Sequence, residues 1–166
     1  MHRGMADAPN ESEMDVRRIL VGLDGSPREE GVLDVAKDLA IRFGAELILF
    51  RALSMPPEIP PEAWQNPALT VREFLERRAR TALEVYQGLL PPAIRSRSSI
   101  EIVVAAPWQG VCMCAKAHEA NLIVIGSHGY GALDRLLGTT AARVVNHAPC
   151  SVIVVRPTEL PAPPTD

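Results

Sequence analysis

Five short apolar runs alternate along the chain with segments of helical periodicity. The runs are rich in β-branched residues and are bounded by glycine, proline or polar residues, which is typical of strands buried on both faces. In chain order the predicted strands are residues 18–23, 45–52, 100–104, 122–125 and 151–155. Because strands that alternate with helices are joined by right-handed crossovers, this order predicts a doubly wound α/β fold, with a mostly parallel sheet and helices on both faces.

The segments between the runs carry helix start and stop signals. Ser26 with Glu29, and Thr70 with Glu73, have the spacing of capping boxes, and Pro107 is typical of a first helical turn. Helical spacing predicts that the following residues face the core: Val32, Val35, Ala36, Leu39, Ala40 and Phe43, then Val71, Phe74, Leu75, Ala82, Val85 and Leu89, then Val111, Cys112, Ala115 and Ala120. We expect Cys114 to be partly exposed, Gly44 and Pro91 to end helices, and a last helix over residues 139–146.

The two ends of the chain differ in composition from the part between them. Residues 1–15 are polar and acidic, and residues 158–166 are rich in proline, so both are predicted to be tails. A single domain is expected over residues 16–157, because 166 residues with 47% hydrophobic composition suffice for one core.

Charge and cysteine content narrow the class of protein. The formal net charge is −3, without the concentrated lysine and arginine that nucleic acids or anionic membranes require, so neither partner is expected. No apolar run approaches the roughly 20 residues needed to cross a bilayer, and the first residues lack the apolar segment of a secretory signal. Three cysteines do not suggest a disulfide framework. A cytoplasmic location is therefore expected.

Two glycine-containing turns are the main candidates for binding. Gly126-Ser127-His128-Gly129 follows the fourth predicted strand, and Gly138-Thr139-Thr140 precedes the last helix. Unpaired N–H groups and the helix dipole favour an anion at such a helix start, which predicts a phosphate site. The alternative is that the glycines only end a strand and begin a helix. The chain has neither a Walker A loop nor the Gly-x-Gly-x-x-Gly dinucleotide motif after its first strand.

The remaining polar candidates allow ordinary structural interpretations. Asp24, at the end of the first predicted strand, is also a good turn former. Arg135 and Arg143 could reach phosphates, but surface arginines more often pair with acids. His118 and His147 suit the carboxyl ends of helices, without a second ligand at metal spacing. We therefore predict no catalytic residue and no metal ligand.

The separated motifs together resemble the universal stress proteins. The resemblance covers residues 18–156 and includes Val21-Gly22-Leu23-Asp24-Gly25-Ser26, the two glycine turns, Arg143-Val144-Val145, and Ala148-Pro149-Cys150 with the strand after it. It implies a Rossmann-like sheet of order 3-2-1-4-5, similar to the adenine nucleotide alpha hydrolases, that binds ATP, with or without magnesium or manganese. It also implies a homodimer formed through the edge strand Ser151–Val155.

The resemblance also implies which residues line the nucleotide. They are Gly22, Leu23, Asp24, Ala52, Ile125, Gly126, His128, Gly129, Gly138, Thr139 and Thr140. Asp24 would lie beside the ribose or adenine, and the glycines with Thr139 and Thr140 beside the ribose and phosphates. The resemblance implies a stress-response or signalling role. We expect no fast catalysis, since phosphoryl transfer usually needs a metal held by acids and a cationic clamp, and Asp24 is the one candidate acid.

One departure from the family pattern keeps two alternatives open. Only eight residues separate Gly129 from Gly138, one fewer than in the family signature, which would redirect N–H donors around the phosphates. The first alternative is a dimeric stress protein that binds partners but no nucleotide. The second is a slow ATPase, or a protein that phosphorylates itself on Thr139 or a neighbouring hydroxyl.

Overall fold

The computed structural model describes residues 15–55, 61, 69–127 and 138–156. Within these ranges the elements are β1 (Arg18–Gly22), α1 (Glu29–Phe43), β2 (Glu46–Leu53), α2 (Val71–Leu89), α3 (Pro92–Arg95), β3 (Ser98–Val104), α4 (Pro107–Ala117), β4 (Leu122–Gly126), α5 (Thr139–His147) and β5 (Ser151–Val155). None of these helices has the length and apolar character needed to span a membrane.

The five strands form one parallel sheet in the order β3-β2-β1-β4-β5. The predicted fold class and strand order are therefore confirmed. β1 lies at the centre, where Ile19 is paired with Leu47 on β2 and with Leu122 on β4. Its three middle residues, Ile19, Leu20 and Val21, are fully buried, as expected for an apolar strand covered on both faces.

Alternate residues of the strands enter two separate cores. One core contains Ile19, Val21, Leu47, Leu49, Leu122 and Val124, with residues of α1 and α2. The other contains Leu20, Ile48, Phe50, Ile123 and Ile125, with residues of α4 and α5. Successive side chains of a strand point to opposite faces of the sheet, and here both faces are apolar. Helices therefore cover the sheet on both faces.

The two predicted capping boxes have different outcomes. At α2, Thr70 Oγ1 accepts the N–H of Glu73 at 3.2 Å, and the Glu73 carboxylate accepts the N–H of Thr70 at 2.8 Å. At α1 the prediction is wrong, because the helix begins at Glu29 and no side chain caps it. Glu29 is buried, and its carboxylate pairs with Arg51 on β2 instead of accepting the backbone N–H of a helix cap.

The core-facing positions of the helices were predicted only in part. On α2 the buried residues are Ala79 and Leu83, whereas Val85 and Leu89 are 60% and 74% exposed. Phe43, at the end of α1, is also exposed. Gly44 ends α1 as predicted, with φ at +66°.

Two smaller corrections concern α3 and α4. Pro91-Pro92 ends α2, but Pro92 also begins the short helix α3, which the sequence analysis missed. On α4, Cys114 is buried and Cys112 only partly so, which is the reverse of the prediction. Val111 and Ala115 define the inner face of α4, and Cys114 follows Val111 by three residues on that face.

Candidate functional site

The carboxyl ends of β1 and β4 form the candidate binding edge. From β1 the chain continues outward through β2 and β3, whereas β4 and β5 lie on the opposite side of β1. This reversal of direction is the topological switch point, where open α/β sheets bind ligands. Of the residues assigned by resemblance, Gly22 ends β1 and Leu23 follows it, Ala52 lies near the end of β2, and Ile125 and Gly126 end β4.

Gly22 allows the ends of β1 and β4 to pack closely. A Cβ atom on Gly22 would lie 2.9 Å from Cγ2 of Ile125 and 3.8 Å from Cγ2 of Val111. Since real Cβ atoms do not approach carbon this closely, residue 22 must be glycine unless Ile125 moves. Two of the predicted site residues are thereby in direct contact at the switch point.

Asp24 lies in an exposed turn directly after β1. Its Oδ1 atom accepts the N–H of Ser26 at 3.0 Å, so the turn-forming interpretation of this residue is confirmed. Gly25 has φ at +82°, a conformation that L side chains rarely adopt. The turn thus fixes the Asp24 carboxylate at the edge, while its contact with a ligand stays a prediction.

A buried ion pair that no sequence motif predicted lies next to this turn. Arg51 Nη2 donates to Glu29 Oε2 at 2.8 Å, and their side chains are only 11% and 7% exposed. Arg51 Nε also donates to the carbonyl oxygen of Leu23 at 3.1 Å, and Glu29 Oε2 accepts the N–H of Gly25 at 2.7 Å. An arginine inside an otherwise apolar strand was the signal available in the sequence.

The start of α5 provides the second part of the candidate site. Gly138 is its N-cap, and no side chain caps the helix. The first N–H groups of an α-helix have no acceptor within the helix, so those of Thr139 and Thr140 are open to an anion. Ala141, in the same turn, packs in the buried cluster that contains Ile125, which brings this helix start to the end of β4. His128, Gly129 and the eight-residue connector lie outside the described residues.

Arg143 packs on an aromatic ring. Its guanidinium carbon lies 5.8 Å from the ring centroid of Trp108 on α4, a cation–π contact. His147 lies on the same indole, with ring centroids 5.0 Å apart, and its Nδ1 is 2.8 Å from the carbonyl oxygen of Arg143. This group joins α4 to α5. Surface arginines more often pair with an acid, whereas the contact of Arg143 in the structure is with an indole ring.

His118 contacts a carboxylate, and the three cysteines are at least partly buried. His118 Nε2 lies 3.5 Å from Glu101 Oε1. Burial raises the pKa of the Cys112 thiol, and burial followed by nearby Cys112 raises that of Cys150. Burial and then the charge of Glu101 raise the pKa of Cys114 to about 12. All three are free thiols that stay protonated at neutral pH and are therefore weak nucleophiles.

Metal ligands do not cluster in the part of the chain that the structure describes. Over residues 15–55, 69–127 and 138–156, no three His, Cys, Asp or Glu side chains lie together as a metal site would require. At the carboxyl edge, Asp24 is the exposed carboxylate of the turn after β1.

The sheet order and the helices that cover both faces define a Rossmann-like α/β protein of the adenine nucleotide alpha hydrolase type. The model of the universal stress protein family matches residues 15–156. The chain belongs to the universal stress protein family, as the motifs predicted.

Individual relatives agree with this assignment. A universal stress protein of Mycolicibacterium smegmatis is 33% identical over 142 residues, which are 84% of this chain and 45% of the relative, so the chain spans about half of that protein. The solved universal stress protein UspA from Lactobacillus plantarum is 29% identical with a TM-score of 0.68, covering 85% of this chain and 98% of its own. A universal stress protein solved in complex with cAMP is 25% identical with a TM-score of 0.56, covering 86% and 98%.

Proposed function

We propose that this protein binds an adenine nucleotide, ATP with magnesium or manganese, and that occupancy serves a stress-response or signalling role in the cytoplasm without fast catalysis. One domain over residues 16–157 would carry this function. The observation that carries the proposal is the arrangement at one sheet edge, where the Asp24 turn and the uncapped start of α5 flank the contact of Gly22 with Ile125. The relative solved with cAMP supports an adenine nucleotide as the ligand class.

The two parts of the edge suit different parts of a nucleotide. The turn after β1 provides a carboxylate and backbone groups, which suit the hydroxyl groups of a ribose and the donors of a base. The start of α5 provides N–H groups, the positive end of the helix dipole and the hydroxyl groups of Thr139 and Thr140, which suit phosphate oxygens. We assign Gly22, Leu23, Asp24 and Ala52 to the nucleoside part, and Ile125, Gly126, His128, Gly129 and Gly138 with the two threonines to the ribose and phosphates.

Binding without fast turnover follows from the chemistry of the described edge. Phosphoryl transfer relies on carboxylates that hold metal ions, a cationic clamp and a positioned nucleophile. Asp24 provides one carboxylate, and one of its oxygen atoms already accepts the Ser26 N–H. Arg51 is bound to Glu29, and Arg143 is stacked on Trp108, so both guanidinium groups have other partners.

ATP with magnesium is expected to raise the Tm of nucleotide-free protein. A ligand at a hundred times its Kd stabilises the native state by about 2.7 kcal/mol, which corresponds to several degrees for a domain of this size. The measurement is thermal unfolding over a titration of ATP, with GTP as the control nucleotide. Asp24→Asn is the matched variant, because its side-chain oxygen still accepts the Ser26 N–H while the charge is lost. We expect Asp24→Asn to lose most of the shift, measured against the Tm of the nucleotide-free variant itself.

A flat Tm in clean apo protein, together with the absence of nucleotide in extracts of freshly purified protein, would contradict the proposal. A shift of equal size with GTP would contradict the assignment of an adenine pocket while leaving a phosphate site in place. An unchanged shift in Asp24→Asn would remove Asp24 from the nucleoside part.

We also propose that the protein forms a homodimer through β5. This strand lies at the edge of the sheet, and its residues after Ser151 are apolar and only partly buried. An edge strand has backbone donors and acceptors on one side that another strand can pair with, and a second copy would satisfy them symmetrically. Light scattering is expected to give twice the 18.0 kDa of one chain at micromolar concentration. The mass of a single chain under these conditions would refute the dimer.

A further inference from the structure

Burial of the ion pair between Glu29 and Arg51 carries an unfavourable desolvation free energy. Charged side chains are rarely this deeply buried, because removal from water must be offset by pairing and further hydrogen bonds. Apolar side chains of similar volume at such positions are often neutral or stabilising. The stability of the fold therefore does not by itself explain why an arginine lies on β2 and a glutamate at the first turn of α1.

The two charged side chains hydrogen-bond to the backbone of the turn after β1, which apolar side chains could not do. Arg51 donates to the Leu23 carbonyl at 3.1 Å, and Glu29 accepts the Gly25 N–H at 2.7 Å. These two bonds hold the residues on either side of Asp24. The Leu23 N–H in turn donates to the carbonyl oxygen of Phe50 at 2.8 Å, which ties the same segment to β2.

A third side chain, Tyr86 of α2, lies near Glu29. Tyr86 is partly buried, and burial followed by the nearby Glu29 carboxylate raises the pKa of its phenol to about 12. The phenol is thus neutral at physiological pH and places no second negative charge beside Glu29. Through the hydrogen bonds of Glu29 and Arg51 the turn is connected to α1 and β2.

We propose that Glu29 and Arg51 are positioning residues for nucleoside binding, holding the backbone on both sides of Asp24 so that its carboxylate is presented to the ligand in one orientation. This inference rests on the proposed function. The two residues act through Asp24 and touch no nucleotide. The ligand they serve is one that offers hydroxyl or N–H donors to a fixed carboxylate, such as the ribose and base of an adenine nucleotide.

The test separates positioning from folding by removing both charges together. Arg51→Met alone leaves the Glu29 carboxylate buried without its partner and is expected to lower the Tm strongly. The double variant E29L/R51M leaves no unpaired charge, and we expect most of the wild-type Tm to return. The hydrogen bonds that order the backbone around Asp24 are lost in this variant. We therefore expect hydrogen exchange of the Ser26 amide, measured by NMR, to become about tenfold faster and the Kd for ATP to become about tenfold larger.

Two further variants serve as controls. Arg51→Lys keeps the charge, but a single ammonium cannot reproduce the guanidinium fork that bonds Glu29 and the Leu23 carbonyl together, so its Kd should fall between the wild type and the double variant. R72Q/E76Q removes an exposed ion pair of α2, joined at 2.8 Å, and should change neither the Ser26 amide nor the Kd. Ser26 is the chosen amide because its acceptor is Asp24, not Glu29.

Each outcome decides for or against the inference. A double variant with recovered Tm, wild-type Ser26 exchange and wild-type Kd would overturn it. If the double variant does not recover its Tm, Arg51→Lys decides, and a wild-type Kd in that variant overturns the inference. If the wild-type protein binds no ATP, the proposed function fails separately. In that case the inference is decided by whether exchange of the Ser26 amide is faster in E29L/R51M than in the wild type. The amides of Ile19 and Val21 in β1 are the reference and should not change.

Discussion

Replacing Leu83 by alanine is expected to lower the free energy of unfolding by about 3 kcal/mol. Leu83 is fully buried, and it lies in the core cluster that joins α2 to α1 and to the sheet. Truncation removes the transfer free energy of the lost carbon atoms and leaves a cavity, because close-packed neighbours relax only in part. Chemical denaturation monitored by circular dichroism gives the measurement.

Leu89→Ala is the matched control for this prediction. It removes the same atoms from the same helix, but Leu89 is 74% exposed, so we expect a change within about 0.5 kcal/mol. Equal losses at the two positions would mean that Leu89 is packed as tightly as Leu83, which would contradict its exposure in the structure. A large loss at Leu89 alone would restore the buried face that the sequence pattern predicted and would contradict the structure.

The architecture was predictable because each strand is a nearly continuous apolar run. Such runs, alternating with helical segments, are sufficient for a parallel α/β sheet with two covered faces. The order of the strands was not derivable from periodicity, since a right-handed crossover fixes the hand of a connection but not the side on which the next strand adds. That order came from the resemblance of the glycine turns and strand ends to the universal stress proteins, and the structure confirms it.

Periodicity failed where a helix presents more than one apolar stripe. On α2, Val85 and Leu89 lie four residues apart and form a plausible stripe, but Ala79 and Leu83 form another, and the sheet contacts the second. The apolar pattern alone could not choose between them. Which face of α2 is buried depends on the segment that follows it. Leu90 and Ile94, at the end of α2 and in α3, are buried in the same core as Leu83.

At the candidate binding edge, the local turn and helix start could be predicted from neighbouring residues, whereas the buried ion pair could not. Asp24 was recognised as a turn former from its neighbours, and Thr139 as a helix start from the preceding glycine. Glu29 was misread as half of a capping box because its true partner, Arg51, is 22 residues away in the chain. Their contact depends on β1 and β2 being neighbours, which no local pattern expresses. The positions of His128 and Gly129 stay predictions.

Gly22→Ala is expected to lower the free energy of unfolding by about 1 to 2 kcal/mol and to weaken ATP binding at least about tenfold. The added Cβ would lie 2.9 Å from Cγ2 of Ile125, a buried side chain whose β-branch leaves it little rotational freedom. Either Ile125 leaves its rotamer or the ends of β1 and β4 separate, and both changes alter the candidate binding edge. Denaturation and calorimetric titration with ATP measure the two effects.

A second glycine provides the control, and Ile125 provides the rescue. Gly31 lies in α1 with open space around its Cα, so Gly31→Ala should stabilise the protein by about 0.5 to 1 kcal/mol, as alanine does in an exposed helix. In the double variant G22A/I125A the clashing methyl group is gone, so its loss of stability should be about 1 kcal/mol less than the sum of the single losses. Additive losses would place the strain of Gly22→Ala somewhere other than Ile125. Unchanged ATP binding in a destabilised Gly22→Ala protein would show that the ligand does not contact this end of the β1–β4 pair.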